Sequence, residues 1–221
     1  MLEKMSDFFD KRAGDYEDHM HKNLEEFDKF YQSITELIPP SKENLNILDL
    51  GVGTGLELDL LMPILPLAEW FLVDISNEML SKLKSKFTSE IHRLHLLNCS
   101  YLEYDFPSEY FDYIITVQSL HHLLKQDKIK LYKCIHSALK PEGLFIEADF
   151  IVDPETESEY LEKYHKLVAE LEDVEPGQYH IDIPFSWKTT ESVLKQAGLK
   201  PDRISLKSEY AVTYSAKKII P

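Results

Sequence analysis

The chain has 221 residues, 43% of them hydrophobic and 11% aromatic, enough for one large domain with a substantial core. Its 39 acidic residues against 24 basic ones leave a formal charge of −15, and no basic cluster is longer than Lys217-Lys218. Neither a nucleic acid nor an anionic membrane is therefore expected as a partner. No apolar run approaches the ~20 residues that cross a bilayer, and the opening MLEKMSDFFDKR has no signal-like apolar stretch, so a cytoplasmic location is expected. Cys99 and Cys134 lie in apolar surroundings and read as small core residues rather than a disulfide or zinc set.

In chain order, Leu24, Phe27, Tyr31, Ile34 and Ile38 share one stripe of a helix over 24–38, with Asn23 as its cap, Glu26 completing a capping box and Pro39-Pro40 as its stop. Strands follow at 45–50, 68–73, 94–97, 111–117 and 144–150. They alternate with helices at 56–65, after a Ser76 cap, and at 126–139, the last ended by Pro141-Glu142-Gly143. Such alternation means crossovers and a mainly parallel sheet. Residues 153–183 form an insertion whose helical stripe (Tyr160, Leu161, Tyr164, Leu167, Val168, Leu171) is expected to cover the carboxyl edge of the sheet. Thr189 or Thr190 caps a further helix closed by Gly198. The runs 203–207 and 210–216 are too close for a parallel crossover, so an antiparallel strand should end the sheet. The chain reads as a single α/β domain: a helical cap (1–43), a binding core (44–152), a lid (153–187), and a C-terminal helix with hairpin (188–221).

The most informative stretch is Asp49-Leu50-Gly51-Val52-Gly53-Thr54-Gly55. Glycines at alternate positions after a strand let the backbone approach a ligand, and the next helix aims its N–H groups and dipole at it. A dinucleotide turn needs G-x-G-x-x-G, but Leu56 holds the third glycine's place. Asp49 would also repel a pyrophosphate while suiting an ammonium. Asp74, 19 residues beyond Gly55, ends the second strand and can accept from both hydroxyls of a ribose; its plainer role is a dipole contact at a helix start.

The segments ILDLGVGTGLELDLL, FLVDISNEML and FDYIITVQSLHHL resemble motifs I, II and IV of the class I S-adenosylmethionine-dependent methyltransferases, narrowly the small-molecule type called methyltransferase domain 25 or UbiE-like. The likeness spans roughly 44–150. It implies a Rossmann-like, doubly wound sheet of seven strands with an antiparallel last one, S-adenosylmethionine (SAM) as cofactor and S-adenosylhomocysteine (SAH) as product. By this resemblance Gly51, Gly53 and Gly55 line the methionine part, with Asp49 near its amino group. Asp74 holds the ribose, Ile75 and Met79 pack on the adenine, and Val117 and Gln118 lie beneath. Ser100, before Tyr101, stands where the family usually has an aspartate that accepts from the adenine amine. The run from Phe8 to Tyr16 resembles the segment folding over the cofactor, with Arg12 on the methionine carboxylate and Tyr16 packed alongside.

Methyl transfer is an in-line displacement that depends mainly on alignment and exclusion of water, and it needs a base only when the acceptor must lose a proton early. His121 and His122, past strand four, and Asp149 on strand five are the candidates; a packing turn is the alternative role for the histidines. No metal is expected, since adjacent histidines seldom converge and no third ligand is evident. His19, Met20 and Tyr31 are expected to face the acceptor, and Tyr160, Tyr164, Tyr179 and Trp187 to line an aromatic pocket or simply pack. Val117-Gln118-Ser119-Leu120 lacks the Asn/Asp-Pro-Pro-Tyr/Phe of amino-methylating nucleic-acid and glutamine enzymes, which points to a small-molecule acceptor. A non-catalytic SAM or SAH sensor and an NAD-dependent oxidoreductase are the other readings. A homodimer is the expectation from symmetry alone.

Overall fold

The computed structural model describes residues 2–169, 171 and 173–219. Its main sheet is built from β1 (Asn46–Leu50), β2 (Glu69–Asp74), β3 (Leu94–Asn98), β4 (Phe111–Val117), β5 (Leu139–Val152), β7 (Leu199–Lys207) and β8 (Ala211–Lys218), in the order β3-β2-β1-β4-β5-β8-β7. Strands β1 to β5 pair in parallel, whereas β8 runs antiparallel to both β5 and β7. A two-residue β6 (Phe185–Ser186) adds to the end of β5. This is the doubly wound, Rossmann-like sheet that the family resemblance implied, with the antiparallel strand that the spacing of the last two runs required.

Side chains alternate across the sheet and feed two cores. Ile47, Trp70, Leu72, Ile115 and Ile146 pack on one side with α3 (Phe27–Thr35), α4 (Leu58–Ile64) and α5 (Asn77–Lys86). Leu48, Leu50, Ile114 and Phe145 pack on the other with α6 (Lys125–Ala138) and α8 (Trp187–Gln196). Both faces are covered, so the central strands are near-continuously apolar. The direction of winding reverses between β1 and β4. Open α/β sheets bind ligands just beyond such a reversal, at the carboxyl ends of the strands.

Several local expectations are corrected. The helix expected over 24–38 is shorter, α3 beginning only at Phe27, and a separate α2 (Tyr16–Asn23) precedes it, with Glu26 at φ 52° between the two. Asn23 does not open the second helix; its amide donates back to the His19 carbonyl and closes the first. Pro141-Glu142-Gly143 lies within β5, in a bulge where Phe111 pairs with Leu139 and Tyr113 with Leu144. A Cβ on Gly143 would stand 2.9 Å from the Phe111 carbonyl, so the bulge needs a bare backbone. Ser186, not Thr189 or Thr190, caps α8 by accepting from the Thr189 N–H.

The helix of the insertion, α7 (Pro154–Val168), is capped by Asp153 and buries none of its described residues. Of its stripe only Tyr164 and Val168 pack on the core, while Leu161 and Leu167 are exposed. Glu157 explains where it sits, because its carboxylate accepts from the Ser186 N–H and the Thr189 hydroxyl and ties α7 to the start of α8. The carboxyl edge of the sheet is covered instead by residues 176–182 and α1 (Met5–Arg12), joined by an isolated bridge between Lys4 and Tyr179.

The cysteines also depart from expectation: Cys99 is half-buried and Cys134 exposed. Burial raises the Cys99 thiol above its ordinary value, which lowers its thiolate fraction. Under native conditions a thiol reagent should modify Cys134 first and Cys99 more slowly. Equal rates measured by mass spectrometry would contradict this arrangement.

Candidate active site

Beyond β1 and β4 lie two adjoining, partly open cavities. They share Phe9, Tyr16, Gln118 and His122 as a common wall. Of the residues singled out in the sequence, Gly51, Gly53, Asp74, Ile75, Met79, Ser100, Tyr101 and Tyr16 line the first. Asp49, Gly55, Val117 and Arg12 do not. Gly55 has a packing role: a Cβ there would lie 3.0 Å from Leu58 and from Phe87. Val117 is buried beneath the cavity. Arg12 faces the second cavity, where its guanidinium lies 3.6 Å over the Phe8 ring and bonds to the Phe8 carbonyl and Glu3.

The turn after β1 is held open by geometry. Gly51 has φ +77°, and a Cβ on it would lie 2.1 Å from Ser119 Oγ and 2.7 Å from Ser119 Cβ. Asp74 braces the same turn, its carboxylate accepting from the Gly53 N–H and the Ser76 N–H, each at 2.8 Å. Burial pushes its carboxyl up to about 6, with those two hydrogen bonds opposing the rise. Ser76 caps α5 and also donates to Asp10, so α1 is fastened to the floor of the cavity. Ser100 is occupied locally, its hydroxyl accepting from the Leu102 N–H, and Tyr101 donates to the Ser119 carbonyl.

Of the buried polar groups that have no hydrogen-bond partner among the described residues, Gln118, Asp49 and Glu57 bear on what the cavity can hold. Gln118 has φ 50°, a strained conformation for a side-chain-bearing residue, and its amide nitrogen is unpaired at the wall between the cavities. Such a donor fits a carboxylate. Both oxygens of fully buried Asp49 are unpaired, as is one of Glu57. Burial and then the neighbouring Glu57 push Asp49 well above the usual carboxylate range, and burial raises Glu57 to about 7. A cation nearby would relieve this crowding. The set fits an aminoacyl-nucleoside cation: donors for the carboxylate, acidic groups beneath the ammonium, Asp74 for the ribose, and Ile75 and Met79 for the base.

The acidic pair has a measurable consequence. A carboxyl raised by folding contributes stability below its unfolded value, and loses it as pH rises through the folded value. Glu57→Gln, which cannot ionise, should therefore melt several degrees above wild type at pH 8. The gap should close toward pH 5, where both side chains are neutral. Each unit of displacement is ~1.4 kcal/mol, and 1 kcal/mol moves the midpoint of a domain this size by roughly 2–4 °C. Thermal melts of the two proteins across that range decide it, and a pH-independent gap would be inconsistent.

In the second cavity, His121 Nδ1 lies 2.6 Å from Asp149 Oδ1. The Asp149 carboxylate also accepts from the Leu120 and Phe150 N–H groups. Burial raises this carboxyl, but His121 and those bonds outweigh it and hold it below its usual value. His122 Nδ1 lies 3.2 Å from the Ile181 carbonyl, and burial keeps the ring well below its ordinary value, hence neutral. The adjacent histidines do converge, contrary to expectation, with ring centroids 4.0 Å apart and Asp182 beside both. His19 and Met20 line this cavity. Tyr31 is buried outside it, Tyr160, Tyr164 and Tyr179 line other hollows, and Trp187 packs on Tyr214. His180, Asp182 and Phe150 also line this cavity, as does Asn23, which the sequence marks only as a helix cap; of these the polar pair His180 and Asp182 stands out among apolar neighbours.

Residues 47–143 match the family model described as a methyltransferase domain. Over 98% of its length the chain is 24% identical to carboxy-S-adenosyl-L-methionine synthase of Nautilia profundicola, covering 96% of that protein. It is 27% identical to malonyl-[acyl-carrier protein] O-methyltransferase 2 of Ilyobacter polytropus over 76% of this chain and 61% of that one. Among solved structures, the DhpI–SAH complex superimposes with a TM-score of 0.68 at 15% identity, covering 97% of this chain and 95% of that one. A methyltransferase bound to the Haloferax volcanii Trm112 activator gives 0.70 at 16%, covering 97% of each chain. With this fold and this turn, the chain carries a SAM-dependent methyltransferase domain over residues 47–143. It is an enzyme whose cofactor is SAM. Among the described residues, no helix is long and apolar enough to cross a membrane.

Proposed function

We propose that this enzyme transfers the methyl group of SAM to a small-molecule acceptor seated in the second cavity. The observation that carries this reading is the shared wall of Phe9, Tyr16, Gln118 and His122, which puts a ligand of one cavity against a ligand of the other. In the transfer, an acceptor lone pair forms the new bond to the methyl carbon while the carbon–sulfur bond breaks. Its electron pair stays on sulfur, leaving neutral SAH. Water must be kept out, and the apolar rings of Phe8, Phe9 and Phe150 serve that end. SAM is held by Gly51, Gly53, Asp74 and Gln118, with Ile75 and Met79 against its base.

For an acceptor that must lose a proton, His121 and His122 are the bases within the cavity, and Asp149 is a positioning residue that fixes the His121 ring. Incubation with methyl-labelled SAM and pools of small metabolites should yield a labelled product. Transfer to none of them, with SAH binding intact, would favour a sensor over an enzyme acting on such acceptors. With the acceptor in hand, Asp149→Asn should lower kcat about tenfold or more and leave the KM for SAM unchanged. A loss confined to KM would remove Asp149 from this role.

The near full-length match to carboxy-S-adenosyl-L-methionine synthase supports a second reading, in which the cofactor's own methyl group is carboxylated by a donor in the second cavity. The mass of the nucleoside recovered after turnover separates the two: SAH for transfer, a carboxyl-bearing SAM for the alternative.

A further inference from the structure

We propose that His121, His122 and Asp182 form a site for one divalent transition-metal ion on the wall of the second cavity, with coordination positions left open toward the acceptor. The carboxylate oxygen Asp182 Oδ1 lies 3.7 Å from His121 Nε2 and 3.4 Å from His122 Nδ1. One ligand atom from each of the three residues falls within 4.8 Å of the others. Ligands held at ~2.1 Å from a common ion stand about 3–3.5 Å apart, so a small inward movement completes the set. Asp182, whose side chain is 46% exposed, adjusts freely, and a small turn of the His122 ring brings its nitrogen to the same ion.

The surroundings are those of a ligand shell. His121 gives its Nδ1–H to Asp149, and Asp149 is fixed by two backbone N–H groups, so in the neutral ring the lone pair is on Nε2, toward Asp182. Histidines that bind metals are oriented in this way by a carboxylate on the far nitrogen. With the proton on Nδ1, an imidazole lone pair and a carboxylate face each other, two acceptors with nothing between them; a cation resolves the conflict. His122 Nδ1 donates to the Ile181 carbonyl at 3.2 Å, so ligation at this nitrogen moves its proton to Nε2 and frees that carbonyl. The His180 ring, 4.8 Å from that of His122, is available as a further donor from the cavity side. Two imidazoles with one carboxylate suit zinc, iron(II), cobalt or nickel rather than magnesium or calcium.

If the second cavity seats the acceptor, the site also specifies its class, a molecule offering an oxygen or nitrogen donor to the metal beside the atom that is methylated. The ion then polarises that donor, and the ring nitrogens act as ligands in place of bases. The metal site itself does not depend on that reading.

The test uses the whole chain, stripped with chelator and titrated with Co²⁺ and Zn²⁺, with SAH affinity measured on the same samples. The expected result is one equivalent of Co²⁺ with visible d–d bands, displaced by Zn²⁺. Asp182→Asn, on a half-exposed side chain, should weaken binding at least tenfold while keeping the melting temperature and SAH affinity. Asp149→Asn should weaken it by roughly 10–100-fold through the orientation of His121. Absence of d–d bands, or wild-type Co²⁺ affinity in Asp182→Asn, overturns the site, and a proton on His121 between two carboxylates then takes its place. Neither outcome touches the assignment of the acceptor cavity, which fails separately if no small molecule is methylated by the metal-loaded protein.

Discussion

Gly51→Ala is expected to lower SAH affinity roughly 100-fold or more while the protein still folds. The added methyl group faces two obstacles at once. At φ +77° a side-chain-bearing residue costs about 1–2 kcal/mol. The new Cβ also falls 2.7 Å from Ser119 Cβ, an atom close to its backbone that cannot swing away like the tip of a long side chain. Relief must come from moving the turn after β1 or the segment after β4, and overpacking of this kind costs about 1–3 kcal/mol. Together these amount to a factor of roughly 30 to several thousand. Gly53→Ala shares the backbone penalty, at φ +55°, but not the clash, since its Cβ would meet no protein atom nearer than the Tyr16 ring at 3.9 Å. It should lose less than Gly51→Ala. Calorimetry with SAH ranks the two variants, and equal losses would mean that steric occlusion at Gly51 is not what shapes the cavity.

Asp74→Ala should weaken SAH binding about 100-fold and also lower stability by about 2–4 kcal/mol, because the carboxylate serves the ligand and the turn together. Its removal strands the Gly53 and Ser76 N–H groups, at about 1–3 kcal/mol for each buried donor left unpaired. The ribose hydroxyls lose their acceptor as well. Proton uptake gives a milder version of the same loss. With the carboxyl raised to about 6, wild-type affinity for SAH should fall as pH drops from 7.5 to 5. Isothermal titrations at both values read this directly. Unchanged affinity across that range would place the ribose on some other group.

The nucleoside side of the site was legible because its residues are contiguous. Gly51, Gly53 and Asp74 sit at the ends of two neighbouring strands, so strand periodicity and one turn locate them without knowledge of the rest. The second cavity is assembled from α1, α2, the ends of β4 and β5, and residues 180–182, which only the finished fold brings together. Arg12 illustrates the limit: its neighbours in the run from Phe8 to Tyr16 wall both cavities, and the phase of α1 turns this side chain to the acceptor side. The tyrosine stripe of α7 misled for another reason. Helical spacing shows that a face is apolar but not what it meets, and the Glu157 tie to α8 sets the helix aside from the site.

Two peptide hydrogen bonds, from the Met5 N–H to the Gln178 carbonyl and from the His180 N–H to the Glu3 carbonyl, stitch the beginning of the chain to the stretch before α8. Met5 and Gly177 roof one chamber, Phe8 and His180 the other. A single seam thus spans both compartments, and parting it would loosen the cover over the nucleoside and over the acceptor together.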